Sequence, residues 1–363
     1  MALSYTADQE QIRNEARRFL EDTFESEKQR ELLRSRGNYD SALWKACIDM
    51  GWTGAGVPED HGGLGLSALE VCIIAEECGR VVAAIPFLAP TYAASMALRE
   101  FGSEKQRSEL LPRIATGDAT FALAVFEDED GLPEAPLTTF QDNRLTGRKI
   151  AVAGGGAASH AIVHASNAIV LVDLTASGVK RETADTIDNT RCAADINFDG
   201  APAQTLNASD AYAAALRLIA VQATIAAFEQ IGGAEGAMDR AREYANTREA
   251  FGQLIGKFQA IKHRVAEMYV TIELARGNAL RAAASLNSGA ADFVAQAGAA
   301  RLAASHAFEF SVAHAIQTHG AIGVTWEHDL HLFLRRARAL ALECGARPFW
   351  EDVIVEALQR GRA

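Results

Sequence analysis

The stretch Arg248-Glu249-Ala250-Phe251-Gly252-Gln253-Leu254-Ile255-Gly256-Lys257-Phe258-Gln259 lies between two long segments with a helical pattern. Its arginine and phenylalanine stand three residues apart, before a glycine turn, and these residue types suit a phosphate and an aromatic ring. Gln259 starts the second segment and can donate a hydrogen bond to a phosphate or a sugar. Taken alone, however, the stretch is explained more simply as a helix–helix turn with a surface arginine.

The flanking helices are predicted from apolar residues that recur every three or four positions. The first set is Ile231, Ala234, Met238, Ala241 and Ala245, and the second is Phe258, Ile261, Val265, Met268 and Ile272. Long helices with such apolar stripes pack together as a bundle. The spacing therefore predicts a helical bundle from about Asp210 to the end of the chain.

A second glycine-containing segment lies further along, at Gln317-Thr318-His319-Gly320-Ala321-Ile322-Gly323. Glycines at this spacing let a backbone approach a ligand closely, because they carry no Cβ atom. Close packing between helices needs the same residues. For this segment alone, helix packing is again the simpler interpretation.

The earlier part of the chain divides by its pattern into helices and strands. Apolar residues near the start, Ile12, Ala16, Leu20 and Phe24, mark one helix face, whereas short β-branched runs such as Ala168-Ile169-Val170-Leu171-Val172 dominate after Thr120. We therefore predict an α+β protein in three parts. These are an N-terminal α-helical domain over residues 1–118, a middle β domain over 119–205, and a C-terminal helical bundle domain over 206–363.

Charge and cysteine content exclude several classes of function. The 363 residues include 35 Lys and Arg and 47 Asp and Glu, which gives a formal net charge of −12. An acidic chain is a poor nucleic-acid binder and is not attracted to an anionic membrane. The first residues show no secretory signal, and the five cysteines are scattered without a metal-binding spacing. These observations predict a cytoplasmic protein with reduced thiols.

The order of several short motifs resembles the acyl-CoA dehydrogenase family nearly end to end. Each motif is weak by itself, but their order and spacing together are specific. The motifs are Pro58-Glu59 through Gly62-Gly63-Leu64-Gly65; Glu76-Glu77-Cys78-Gly79-Arg80; Phe101-Gly102-Ser103-Glu104-Lys105-Gln106 with Leu111-Pro112 and Gly117; Arg248-x-x-Phe251-Gly252 with Gln259; and Gln317-x-x-Gly320-x-x-Gly323 followed by Glu327 and Arg335-Arg336-Ala337.

This resemblance implies an α+β fold with a β-barrel-like middle domain and a C-terminal four-helix bundle. It also implies a homotetramer or a dimer of dimers that binds FAD across a subunit interface. Family enzymes oxidise an acyl-CoA thioester between the α and β carbons: a glutamate removes the α proton, and the β hydride goes to the flavin. The implied electron acceptor is an electron-transferring flavoprotein. By the resemblance, the residues that contact the ADP part of the neighbouring subunit's FAD are Arg248, Phe251, Gln259, Gln317, Gly320 and Ala321.

The chain departs from the family where the flavin ring is held. The family's Thr-Glu-Pro loop reads Phe126-Glu127-Asp128 here, and its Trp-Ile-Thr strand reads Ala151-Val152-Ala153. The indole that covers the ring and the hydroxyls that reach its polar edge are therefore missing. If each lost contact is worth roughly 1 kcal/mol, flavin binding is weaker by several kcal/mol.

The catalytic base is also missing from both positions that the family uses. Glu343 is displaced by one residue from the usual position, which turns a helical side chain by about 100°. The alternative position falls near residues 222–224 and carries no carboxylate, and Glu229 lies about two turns away. We expect Glu343 and Glu229 to be surface or interface glutamates, and we assign no catalytic residue.

The chain keeps the residues that contact the ADP part of FAD but lacks those that hold the flavin ring. In this combination it resembles the non-base subunit of heteromeric bacterial steroid and sterol side-chain acyl-CoA dehydrogenases, which are α2β2 tetramers. We expect such a role, with a homologous subunit and an acyl-CoA as partners. Two alternatives remain open: a homomeric dehydrogenase or oxidase with an atypical base, and a non-catalytic scaffold. His328 and His331 could pair on a metal, but we expect a solvated helix face instead.

Overall fold

A computed structural model describes residues 5–128 and 131–360, which form helices, then a sheet, then helices again. The N-terminal helices are α1 (Ala7–Thr23), α2 (Ser26–Leu32), α3 (Ser41–Asp49), α4 (Ala68–Arg80), α5 (Leu88–Phe101) and α6 (Glu104–Ala115). The strands that follow are β1 (Phe121–Ala124), β2 (Thr139–Gln141), β3 (Arg144–Val152), β4 (His160–Ala165), β5 (Ala168–Asp173), β6 (Val179–Thr183) and β7 (Ala194–Leu206). The last elements are α7 (Ala211–Thr247), β8 (Glu249–Ala250), β9 (Gln253–Leu254), α8 (Gln259–Ser288), α9 (Phe293–His319), α10 (Leu330–Leu342) and α11 (Arg347–Arg360).

Local capping signals determine where several of these helices begin. The Ser67 hydroxyl accepts a hydrogen bond from the Leu69 amide, and the Glu70 carboxylate accepts one from the Ser67 amide. Ser103 and Gln106 form the same reciprocal pair at the start of α6. These pairs satisfy amide groups that a helix start leaves without a partner. Helices α4 and α6 therefore begin directly after Ser67 and Ser103.

The middle β domain is one seven-stranded sheet in the order β1-β4-β5-β7-β3-β2, with β6 also paired to β7. The 13-residue strand β7 joins the two halves, because its end pairs with β5 and its start pairs with β3 and β6. Among the strands of the described residues, only β1 and β4 pair in parallel. Within the described part of residues 119–205, the two end strands β1 and β2 do not pair with each other, so the sheet is open and the expected barrel-like closure is not found.

The C-terminal helices form a bundle around α7. The described residues there contain five helices, not the expected four, and three of them are 37, 30 and 27 residues long. Helix α7 is long and apolar enough to cross a membrane, but 72% of its most apolar window is buried inside the protein. It packs against α4, α5, α8 and α9 and is the central helix of the fold.

Helices α4 and α7 cross so closely that their contact surface contains glycines. A Cβ atom added to Gly79 would lie 1.8 Å from the Glu229 carbonyl oxygen, and one added to Gly232 would lie 1.8 Å from the Glu76 carbonyl oxygen. Both obstacles are backbone atoms, which cannot rotate away. The glycines therefore set the distance between α4 and α7 and place Glu229 against the end of α4.

We expect Gly232→Ala to lower the free energy of unfolding by about 1–3 kcal/mol, because the added methyl group would collide with the Glu76 carbonyl oxygen. Gly277→Ala in α8 is the matched control, since a Cβ atom there meets nothing within 4 Å. Alanine also favours a helix over glycine by about 1 kcal/mol, so the control should be neutral or stabilised. Urea denaturation followed by circular dichroism measures both; equal stability of the two variants would contradict the close crossing.

Candidate functional site

Six charged side chains meet in the interior where the three parts of the chain join. We call them the buried ion cluster: Asp188, Arg191, Glu229, Arg301, Arg336 and Glu343. Arg301 and Arg336 are each only 1% exposed, and the Glu343 side chain is 10% exposed. Three arginines and three carboxylates make the cluster neutral overall. Burial of that many charges is tolerated only when each is paired and hydrogen-bonded.

Arg191 is the centre of the buried ion cluster. Its Nε and Nη2 atoms donate to the two carboxylate oxygens of Glu343 at 3.0 and 2.7 Å, and its Nη1 donates to Glu229 at 3.1 Å. Planar, two-point contact of this kind is the strongest arginine–carboxylate geometry. Burial opposes the charge on Arg191, but Glu229 and Glu343 more than compensate and raise the pKa of the guanidinium.

Arg336 holds the other side of the cluster. It donates to Asp188 at 2.6 Å and to Glu229 at 2.9 Å, and it also donates to the carbonyl oxygens of Val82 and Ala83 after α4. Burial opposes ionisation of Asp188, but Arg336 and the Thr190 hydrogen bond outweigh it and hold the pKa of the carboxyl below its usual value. Asp188 is therefore charged in the folded protein at neutral pH.

Arg301 belongs to the cluster, but its hydrogen-bond partners among the described residues are neutral groups and not carboxylates. It donates to the Glu343 carbonyl oxygen at 2.8 Å, to the Gln230 side chain and to the Ser305 hydroxyl at 2.7 Å. Burial lowers the pKa of this guanidinium. These bonds anchor the residue that follows α10 to α7 and α9, so that the Glu343 carboxylate faces Arg191.

The expectation that Glu229 and Glu343 are surface or interface glutamates is wrong. Both are bound to Arg191, which comes from the loop between β6 and β7. Sequence reasoning missed Arg191 and Asp188, because each reaches its partners across at least 38 residues of chain. No local pattern distinguishes such a loop arginine from a solvated one. In the structure, the 3-10 turn Asn189–Arg191 and its N-cap Asp188 bring Asp188, Thr190 and Arg191 together.

The interior beside the cluster has almost no free space. A cavity of about 10 Å³ lies between α4, the following loop and α7, and Cys78, Ile225, Glu229 and Arg191 line it. That volume suits one water molecule, whereas ligand pockets measure roughly 300–1,000 Å³.

The positions that correspond to the family's flavin-ring contacts carry a structural ion pair. Glu127 accepts hydrogen bonds from Lys149 and from the Leu137 and Thr138 amides. Burial opposes ionisation of Glu127, but Lys149 and Thr138 outweigh it and lower its pKa to about 2. Part of the acidic run, residues 129–130, lies outside the described residues. Ala151 and Ala153 offer only methyl groups where the family has an indole and a hydroxyl.

The Arg248 segment forms an exposed two-stranded hairpin. Strands β8 and β9 pair Glu249 with Leu254 and Ala250 with Gln253, so Phe251 and Gly252 form the turn. Both turn residues have positive φ, 53° and 78°, as a tight type I′ hairpin turn requires. Phenylalanine rarely adopts that conformation, and Phe251 is also 96% exposed. Strained backbone positions and exposed aromatic residues of this kind are common at binding sites.

Arg248 and Gln259 flank this hairpin and are also exposed. Within residues 5–128 and 131–360, neither side chain has a hydrogen bond or ion pair. Unpaired donors at the surface are free to bind a ligand or another subunit. Arg248, Phe251 and Gln259 are thus exposed together at one hairpin, and their cofactor-binding role stays a prediction.

The Gln317 segment forms the end of α9 and the turn after it. Gly320 has φ 66° and ψ −141°, a combination that essentially only glycine adopts. Gln317, Gly320 and Ala321 are exposed, and a Cβ atom on Gly320 would meet nothing within 4 Å. The turn needs glycine for its conformation, and the open space leaves room for a ligand against its backbone.

The two segments come together through the helices that precede them. The Tyr244 ring, one turn before Arg248, stacks on the His319 ring with centroids 4.3 Å apart. A cavity of about 560 Å³ opens beside this stack, with Arg30, Arg240 and His328 in its lining. His328 and His331 pack on His319 and Trp326, so the expected solvated face is wrong. The described residues contain no group of three or more metal-binding side chains.

Comparison with known proteins identifies relatives over nearly the whole chain. Residues 6–118 match the family described as "Acyl-CoA dehydrogenase, N-terminal domain", and residues 212–358 match "Acyl-CoA dehydrogenase, C-terminal domain". The chain is 31% identical to acyl-CoA dehydrogenase IpdE2 of Mycobacterium tuberculosis over 322 residues, which cover 86% of this chain and 85% of that protein.

Two solved structures have closely similar folds. One is a Tcur3481-Tcur3483 steroid ACAD variant, with a TM-score of 0.90, 29% identity and 98% of both chains covered. The other is the ChsE4-ChsE5 complex from Mycobacterium tuberculosis, with a TM-score of 0.90, 25% identity and 99% of both chains covered.

Removal of Arg191 tests the buried ion cluster. We expect Arg191→Met to lower the free energy of unfolding by about 3–5 kcal/mol, because Glu343 is left buried without its charge partner. Arg36→Met is the matched control, since Arg36 pairs with Asp185 at the surface, where both side chains are more than half exposed. The control should change stability by less than about 1 kcal/mol. Similar effects in urea denaturation would contradict a special role for Arg191.

The lowered pKa of Asp188 predicts a pH-dependent contribution to stability. The unfolded carboxyl titrates near pH ~3.9. The charged form is favoured by folding, so its stabilisation is present above that pH and is lost as pH falls through the lower folded-state pKa. Asp188→Asn should cost about 1.5–3 kcal/mol at pH 7. The difference in free energy of unfolding between this variant and the unsubstituted protein should shrink below pH ~4. If urea denaturation gave the same difference from pH 7 to pH 3, the lowered pKa of Asp188 would be contradicted.

Proposed function

We propose, from the premise that this chain belongs to the acyl-CoA dehydrogenase family, that it is the non-base subunit of a heteromeric enzyme of that family. FAD is the family's cofactor. In the proposed heteromer, this chain supplies the ADP-binding half of an FAD site to a homologous subunit, which supplies the flavin-ring half and the catalytic base. The ChsE4-ChsE5 complex supports a heteromeric arrangement for a chain of this fold.

The observation that carries the proposal is the contrast between the interior and the surface of the chain. In the interior, Arg191 binds Glu343 and Glu229 beside a cavity of about 10 Å³. At the surface, Arg248 is unpaired among the described residues, and Phe251 is 96% exposed in a strained turn. The groups that this chain offers to a nucleotide therefore lie at its surface.

The described residues fit the ADP part of FAD and do not fit the flavin ring. Arg248 offers a guanidinium to a pyrophosphate, Phe251 offers a ring face, and Gln317 and Gln259 offer amide donors. At the ring position, Ala151 and Ala153 provide neither an aromatic cover nor a hydroxyl donor. The nearby Lys149 side chain is fully buried and forms an ion pair with Glu127, with its Nζ atom 2.8 Å from Glu127 Oε1.

The proposed reaction is the α,β-dehydrogenation of an acyl-CoA thioester. Bound FAD supplies the two-electron acceptor for that chemistry. This chain's contribution is to bind and orient: Arg248 neutralises phosphate charge, and the Gly320 turn brings backbone close to the nucleotide. A carboxylate in the partner removes the α proton, because Glu229 and Glu343 here are held by Arg191 and Arg336.

The name of the Tcur3481-Tcur3483 steroid ACAD variant supports a steroid side-chain CoA ester as the substrate class. The electron acceptor in the proposal is an electron-transferring flavoprotein, and the location is the cytoplasm. All five cysteines are buried free thiols, which accords with a reducing compartment.

FAD counting on the heteromer tests the proposal directly. The chain should be purified alone and then with a homologous subunit, and FAD should be measured by absorbance. We expect little FAD on the chain alone and bound FAD on the heteromer. Arg248→Ala in this chain should lower FAD occupancy of the heteromer several-fold, because a charge-assisted contact to phosphate is lost. Arg18→Ala, at an 86% exposed position on α1, is the control and should leave occupancy unchanged.

Two results would overturn the proposal. If the chain alone bound one FAD per protomer and oxidised acyl-CoA, it would be a homomeric enzyme with an atypical base. If Arg248→Ala left FAD occupancy of the heteromer unchanged, the chain would act as a scaffold that shares no cofactor.

A further inference from the structure

Tyr244 and His319 form a contact that none of the expected cofactor-binding residues explains. Their rings lie 4.3 Å apart between centroids and only 21° from parallel. His319 is buried at 6% exposure and Tyr244 is half-buried. Stacked aromatic pairs of this kind add stabilisation beyond the area that they bury.

Each ring is rigidly connected to one of the two segments that we assign to the ADP part of FAD. The Tyr244 carbonyl oxygen accepts the Arg248 amide hydrogen bond at 2.8 Å, which is the last bond of α7 before the hairpin. His319 immediately precedes Gly320 and lies two residues after Gln317. The stack therefore joins the start of the hairpin to the start of the glycine turn.

His319 is itself held in one orientation. Its Nδ1 atom donates to the Ala315 carbonyl oxygen at 2.8 Å, because a carbonyl can only accept. The His328 ring packs edge-on against it at 4.6 Å. The turn also folds back closely, since a Cβ atom on Gly323 would lie 3.1 Å from the His319 Cβ atom. His319 cannot turn away from Tyr244 without disturbing α9 and the turn.

We propose that the Tyr244–His319 stack is a positioning device that sets the spacing between Arg248 and the Gln317–Gly320 turn, and thereby the affinity of the heteromer for the ADP part of FAD. This inference rests on the proposed function. The two residues do not need to touch the nucleotide. They act by keeping the end of α7 and the end of α9 at the separation that lets both segments bind one ligand.

The test uses the purified heteromer stripped of FAD and then titrated with FAD, with ADP and with FMN. Tyr244→Leu keeps most of the side-chain volume but removes the stack, so FAD and ADP should bind about 2- to 10-fold more weakly. Binding of FMN, which lacks the adenosine part, should be much less affected. Tyr244→Phe keeps the ring and should restore the affinity for FAD and ADP.

His331→Ala is the matched control, because the His331 ring stacks on Trp326 at 4.7 Å without joining α7 to α9. It should leave ADP binding unchanged. If Tyr244→Leu does not assemble with the partner, His319→Leu tests the same stack from its other side. Equal weakening of ADP and FMN binding, or unchanged ADP binding in both leucine variants, would overturn the inference.

Failure of this inference is distinguishable from failure of the proposed function. If Arg248→Ala weakens ADP binding and Tyr244→Leu does not, the nucleotide site stands and the stack has no positioning role. If neither variant changes ADP binding, the proposed function itself is wrong.

Discussion

The two-point contact between Arg191 and Glu343 is the interaction on which the arrangement of the three parts depends. Arg191 comes from a loop of the middle β domain, Glu343 follows α10, and both meet Glu229 of the central helix α7. Arg336 extends the contact to the loop after α4. A buried charge without a partner costs several kcal/mol, so only an arrangement that brings all these charges together is stable. The cluster thus selects one relative placement of sheet and helices.

The close crossing of α4 and α7 makes this cluster possible. Gly79 and Gly232 let the two helix backbones approach until a single Cβ atom would collide with a carbonyl oxygen. That approach brings Glu229 beside the end of α4 and its following loop. The interior volume that remains holds about one water molecule. Arg191 and Glu229 line this small cavity together with apolar residues of α4 and the loop after it.

Sequence reasoning succeeded where local physics decides the outcome. The helix starts at Ser67 and Ser103 follow from capping pairs three residues apart. The helical, β and helical regions follow from apolar periodicity, and the glycine turns at Gly252 and Gly320 follow from the need for positive φ. It failed for Glu229 and Glu343, since nothing near them in the sequence shows that Arg191 lies opposite. The sequence also did not predict that the sheet is open, because closure depends on pairing between edge strands that are far apart in the chain.

The sequence by itself determined the family and the order of the elements, because both depend on residue types at short spacing. Only the tertiary structure decided that a neutral ion cluster lies in the interior and that Tyr244 stacks on His319. Both features join side chains from elements far apart in the chain. Their contacts arise from packing, which short-range spacing does not encode.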